Sequence, residues 1–188
     1  MSDFVHLHCH TEYSLLDGAI KTKDLCSRAA DFGLPAAAIT DHGNMYGAID
    51  FYLQAKKCGI KPIIGCEVYV APEHRTKKQA TSASDAGYHL VLLAKNREGY
   101  HNLVKMVSRG FLEGFYYKPR IDKELLHEYG SGLIALSGCL KGEVSSCLMN
   151  NDFDTAVRVA EEYSRLFPER FYLELQANGI PDQETLNQ

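Results

Sequence analysis

The order of its secondary-structure signals restricts this chain more than any other feature. Strand-like residues 4–11 lead to an amphipathic stretch over 23–32 and an apolar strand over 35–40. A second helical stretch over 45–58 and a strand over 61–70 follow. Thr22 suits a helix N-cap and Gly33 a stop, and Asn44 and Gly59 bracket the second helix in the same way. Strands that alternate with helices join most simply as parallel neighbours, so the reading is α/β. Further strands are expected over 88–94, 132–137 and 171–175, and helices over 98–110, 123–129, 142–149 and 153–166, before a polar tail. Residues 72–87 are polar and irregular, which points to a mobile loop at the mouth of a site. With no internal repeat or linker, 188 residues fit one domain.

Charge and cysteine usage narrow the function. A net charge of −4 supplies no global basic field, so any nucleic-acid contact is local or comes from elsewhere. No apolar run is long enough for a membrane span, and the N-terminus lacks a signal-peptide layout. The six cysteines (Cys9, Cys26, Cys58, Cys66, Cys139 and Cys147) form no CxxC pair. Reduced thiols in a cytoplasm, most of them small core residues, are therefore expected.

Several strand ends finish in residues that can bind metal. In a strand His8 and His10 share a face with His6, and imidazoles at i and i+2 suit one divalent cation. A half-exposed edge strand that carries histidines accounts for that stretch equally well. His42 follows an apolar strand directly after Asp41, although an Asp-His pair before a helix can simply cap it. Glu67 lies inside an apolar strand, where a carboxylate is costly unless paired, hydrogen-bonded or bound to metal. Asp17 can turn the chain with Gly18, His101 can be a surface residue of a helix, and Cys139 an inert core thiol. His6, His74, His89 and His127 receive no functional role.

Taken together, His8-Cys9-His10, Asp17-Gly18, Thr40-Asp41-His42-Gly43 and Gly65-Cys66-Glu67 resemble the polymerase and histidinol phosphatase (PHP) family. Tyr13-Ser14-Leu15-Leu16-Asp17-Gly18, Asn96-Arg97-Glu98-Gly99-Tyr100-His101-Asn102-Leu103 and Leu136-Ser137-Gly138-Cys139 are similar to the N-terminal PHP domains of bacterial DNA polymerase III alpha subunits. The resemblance covers essentially the whole chain. It implies a PHP-type distorted (β/α)7 barrel with up to three divalent metals, Zn²⁺ or Mn²⁺, at the C-terminal strand ends. On this resemblance His8, His10, Asp17, His42, Glu67, His101 and Cys139 fall on metal-ligand positions, and Asp41 and His42 are catalytic.

The activity so implied is metal-dependent phosphoester hydrolysis, as a 3′–5′ proofreading exonuclease within a DNA-directed DNA polymerase. Its implied partners are a DNA primer-template and other replicase subunits, with no membrane. Arg75, Lys77, Lys78, Lys118 and Arg120 could touch phosphates, a solvated loop being the plainer account of residues 75–78. Two other readings stand beside this one. The domain could be a catalytically silent module that stabilises the polymerase or docks an exonuclease subunit. It could also be a free-standing histidinol phosphatase-like enzyme, against which the segments around His101 and Cys139 count. The family closes its site with a late Asp-x-His, and no such motif follows Phe171. The expectation is therefore a PHP domain over 1–188 that forms the N-terminal piece of a longer polymerase. It would lack its last barrel strand, hold fewer metals, be weakly active alone and self-associate through an open sheet edge.

Overall fold

The computed structural model describes residues 4–78 and 87–188. Its elements are α1 (Thr22–Asp31), β1 (Ala36–Ile39), α2 (Ala48–Cys58), β2 (Lys61–Val70), β3 (Tyr88–Ala94), α3 (Arg97–Leu112), β4 (Arg120–Ile121), α4 (Lys123–Tyr129), β5 (Leu133–Leu136), α5 (Glu143–Met149), α6 (Phe153–Leu166), β6 (Phe171–Tyr172) and α7 (Pro181–Leu186). The sheet runs in the order β1-β2-β3-β5-β6, with β4 also against β2.

Both halves of β2 are used. Ile63 and Ile64 lie opposite Ala38 and Ile39 of parallel β1, and Gly65 to Val70 pair antiparallel with β3. β3 pairs antiparallel with β5 as well, whereas β4 on β2 and β6 on β5 are parallel. The sheet is thus mixed, with two antiparallel pairings where the alternation suggests mainly parallel neighbours. The cause is the connection from β2 to β3, which has no helix among its described residues; an antiparallel return needs no crossover helix.

The period of two then divides the side chains. Cys66, Val68 and Val70 join Leu90, Leu92, Leu133 and Ala135 on the face that packs against α3 to α6, which forms the main core. The opposite face carries the smaller apolar cluster of Val91, Leu93 and Leu136, with Ile63 and Ile134 against it, and the same alternation puts Glu67 on that face. One end of this inner face is therefore greasy and the other polar. A third cluster, from Cys26, Ala29, Ile39, Phe51 and Ala55, seats α1 and α2 on β1.

Three corrections concern local structure. Residues 4–10 form no strand. Phe4 is 61% and Leu7 37% exposed, so the alternation buries no apolar face that would fix them in the sheet. Part of the tail that reads as polar folds as α7, and the strand over 171–175 shrinks to two residues. In the stretch 72–78 Arg75 is buried, not solvated, while residues 79–86 of the expected loop lie outside the described residues. All six cysteines are free, and among the described residues no helix is long and apolar enough to cross a membrane.

Close backbone approach sets one demand for glycine. Asn96 caps α3 by accepting from the Gly99 amide at 2.9 Å, and a Cβ on Gly99 would meet the Gly132 carbonyl oxygen at 1.8 Å. Backbone cannot move aside as a side-chain end can, so Gly99→Ala is expected to destabilise the fold by about 3 kcal/mol through overpacking. Urea unfolding of the two proteins checks this; equal midpoints would contradict it.

Candidate metal centre

Glu67 is the hub of the polar end of the inner face. It is fully buried, and its neighbours are imidazoles: His8 Nε2 at 3.3 Å and His89 Nδ1 at 3.0 Å from Oε1, and His10 Nε2 at 3.9 Å from Oε2. His42 Nδ1 is in close contact with Oε2. Burial alone would raise the Glu67 pKa, but His42, His8 and His89 outweigh it and hold the carboxyl well below the usual range.

Local backbone accounts for this convergence. After β1 the chain stays beside β2: Gly43 donates its amide to the Glu67 carbonyl at 2.8 Å and His42 bridges Glu67 in parallel. His89 comes from β3, opposite Tyr69, with its amide donated to the Lys141 carbonyl at 2.9 Å. His8 and His10 arrive on the N-terminal segment, which Asp41 ties down. The Thr11 amide and hydroxyl donate to Asp41 at 2.6 and 2.8 Å, and the Ser14 hydroxyl donates at 2.8 Å. Asp41, expected to be catalytic, thus has both oxygens committed to this anchorage. Its buried carboxylate positions histidines and takes no place among the converging donors.

Outer contacts orient the rings. His8 Nδ1 lies 2.7 Å from Glu174 Oε1, to which Gln176 also donates at 2.7 Å, so Nε2 is presented to Glu67. Burial opposes a charge on His8, but Glu174 and Glu67 outweigh it and raise its pKa to about 9. His10 Nδ1 is 3.2 Å from the Ser14 hydroxyl. Burial, reinforced by His42, lowers the His10 pKa. His42 Nε2 lies 2.9 Å from Asp17 Oδ2. Although burial resists ionisation at both, their mutual attraction lowers the Asp17 pKa, and with Glu67 it raises that of His42.

Of the residues expected from the sequence, His8, His10, Asp17, His42 and Glu67 meet here. Cys139 reaches the edge, its Sγ 3.9 Å from His89 Nδ1, and burial raises its pKa. His101 does not join: it is exposed on α3, and its ring contact is with Tyr100. The histidine that joins instead is His89, which received no role from the sequence. Glu174 is the other residue missed. The available signal was that both begin or follow strands that deliver polar side chains to the same sheet end.

The donors form two sets that share Glu67: His8, His10 and Glu67, and His42, Glu67 and His89. His8 Nε2 and His10 Nε2 face each other at 3.1 Å. Buried atoms without a hydrogen-bond partner among the described residues include His42 Nδ1, both Glu67 oxygens, His89 Nε2 and Glu174 Oε2; only Gln183 Oε1 lies elsewhere. The ring nitrogens come close to the Glu67 oxygens without hydrogen-bond alignment, as donors around a shared cation do. Imidazole and carboxylate together are a donor set that fits divalent metal ions.

Residues 6–178 match the model of the PHP domain. DNA polymerase III subunit alpha of Borreliella burgdorferi is 48% identical over 187 residues, which covers 100% of this chain and 16% of that protein. The subunit of Thermus aquaticus is 49% identical over 188 residues, 98% of this chain and 15% of that protein. The chain therefore spans about 16% of the length of the curated relatives it matches. Among solved structures, a protein of Bifidobacterium adolescentis described as a proposed metal-dependent phosphoesterase superposes with a TM-score of 0.54 at 14% identity. That match covers 100% of this chain and 82% of the other. At that identity the likeness concerns the fold alone, and it is a barrel-type α/β fold.

Proposed function

Because this chain belongs to the PHP domain family, we propose that its histidine–Glu67 centre holds divalent metal ions, Zn²⁺ or Mn²⁺, and hydrolyses phosphoesters. The observation that carries this is the convergence of four imidazoles on one buried carboxylate shared by two donor sets. When bound, the ions supply charge that polarises a phosphoryl oxygen and lowers the pKa of water. The protein's own residues do the rest. Glu67 bridges the two sets, and His8, His10, His42 and His89 complete them. Glu174 and Ser14 hold the His8 and His10 rings in register, and Asp17, 57% exposed and bonded to His42, faces the solvent side where substrate arrives. Cys139 lies beside the second set, in contact with His89, while His101, exposed on α3, is the weakest of the ligand positions implied by resemblance.

We take the full protein to be a bacterial DNA polymerase III alpha chain acting in the cytoplasm with primer-template DNA and other replicase subunits. The natural substrate of this domain is then a DNA 3′ end, cleaved as a 3′–5′ exonuclease. High identity across the whole chain to polymerase subunits supports this over a free-standing small-molecule phosphatase. The test measures metal content of the full-length chain and release of 3′ nucleotides from primed DNA, with Mn²⁺ or Zn²⁺ and after chelation. Bound metal with chelator-sensitive release is expected. Bound metal without release would leave a metal-stabilised structural module, and absence of both would overturn the reading.

A further inference from the structure

Among the five bases that could touch phosphates, the fold leaves one directed at the centre. Arg75 is buried in ion pairs with Asp122 and Glu113, at 2.9 and 2.7 Å. Arg120 donates to the carbonyls of Gly114, Arg75 and Lys77. Lys77 pairs with Glu73 on the surface. Lys78 is exposed, and Lys118 stands over a tyrosine that touches two of the histidines. Its Nζ lies 4.3 Å from the centroid of the Tyr69 ring. That ring is buried, stacks on His42 at 6.2 Å and meets His89 edge-on at 5.0 Å. Among the described residues Lys118 has no carboxylate within ion-pair distance.

The backbone holds it there. Tyr117, immediately before it, has φ 60°, a left-handed conformation unusual for a bulky residue and often kept where a site needs it. The Tyr116 amide donates to the Lys118 carbonyl at 3.1 Å, which closes the turn, and the Arg120 guanidinium lies 5.1 Å over the Tyr116 ring. The loop that carries His42 abuts the same turn. At Gly43 (φ 63°) a Cβ would lie 2.8 Å from Pro119 Cγ and 3.0 Å from the Tyr69 ring. Burial and Lys141 lower the Lys118 pKa while Glu67 and Asp17 oppose them, so its ammonium shares the field of the carboxylates at the centre. A strained turn, a buried aromatic floor and an ammonium with no carboxylate partner among the described residues make a built position.

We propose that Lys118 binds a non-bridging oxygen of the substrate phosphate and that the Tyr117–Pro119 turn exists to hold it over Tyr69. This deepens the phosphoesterase reading and rests on it. An anionic substrate that approaches Asp17 and Glu67 meets repulsion, and an unneutralised ammonium beside the histidines offsets it and fixes the phosphate's orientation. Lys118 is a substrate-binding residue and holds no metal.

The experiment uses the full-length chain loaded with Mn²⁺ and titrates inorganic phosphate by calorimetry, alongside metal content and hydrolysis of a 3′-terminated oligonucleotide. Lys118→Ala should weaken phosphate binding about tenfold and raise KM more than it lowers kcat. Lys118→Arg should recover most of the phosphate affinity, metal content should stay constant, and Lys77→Ala should change nothing. Phosphate affinity lost in Lys118→Ala supports the assignment even in a chain that cleaves nothing, where only the phosphoesterase reading fails. Unchanged phosphate affinity alongside intact hydrolysis overturns the Lys118 assignment and leaves that reading standing. Loss of metal together with phosphate, or no phosphate binding by the parent chain, overturns it too.

Discussion

Replacing Glu67 by glutamine is expected to weaken divalent-metal binding by the full-length chain at least 100-fold and to abolish phosphoester hydrolysis. Glutamine keeps the size of the side chain but removes the charge that faces His8, His42 and His89 and that both donor sets share. Loss of a partner outside the ligand shell costs on the order of 10–100-fold in metal affinity, and a shared ligand costs more. Asp17→Asn should be milder, because Asp17 is largely exposed and touches His42 alone among the imidazoles. Calorimetric titration with Mn²⁺ and Zn²⁺ decides the matter. Equal affinities in Glu67→Gln and the parent would mean that the convergence on Glu67 is an ion-pair network with no part in metal binding.

The second large effect is structural. Arg75→Ala should destabilise the domain by about 3–5 kcal/mol, the range for breaking a buried ion pair from one side. The Arg75 side chain is 5% exposed and that of Asp122 is 4% exposed. Asp122 also caps α4 by accepting from the Leu125 amide at 3.1 Å, so the loss reaches a helix start. Although burial works against ionisation, the Arg75 and Leu125 amides and the Arg75 guanidinium hold the Asp122 carboxyl below its ordinary value. The sign follows: this stabilisation is present above about pH 4, the unfolded value, and is lost as pH falls through the lower folded one. Arg75→Ala should therefore show a shallower loss of stability on acidification than the parent. Thermal melts from pH 7 to pH 3 measure both, and parallel curves would refute the coupling.

Elements whose cause is local could be read in the sequence. The apolar run 61–70 and the helix 123–129 appear with those bounds, since burial on both faces and a capping Asp122 are written in consecutive residues. The direction of β3 could not be read, because the choice between crossover and return lies in a connection without helical pattern. Ligand-like residues could be picked out where the neighbouring motif was dense, as at His8 and His10 on the N-terminal segment and Glu67 on β2. His89 was missed because one histidine at the head of an apolar strand looks like any edge residue until β3 is laid opposite Tyr69. His101 is the reverse case. A histidine within a recognisable segment drew attention, yet its position on α3 points to solvent. Asp41 has the right chemistry for catalysis, and only the Thr11 and Ser14 donors show its carboxylate to be occupied.

The N-terminal residues bring two imidazoles to the centre without joining the sheet, and this divides the molecule into parts of unequal persistence. Their attachments include the Thr40 amide on the Cys9 carbonyl, the Cys9 amide on the Thr40 hydroxyl, the His8 ring on Glu174 and the donors gathered by Asp41. A segment fastened largely through side chains can open while the strands remain intact. Glu67, His42 and His89 would then stay assembled while His8 and His10 come and go. A cation gripped by both sets acts as a clasp on that opening, and each tenfold rise in its concentration above the dissociation constant makes the open form about tenfold rarer. Hydrogen exchange at the Cys9 and Thr11 amides thereby becomes a gauge of occupancy.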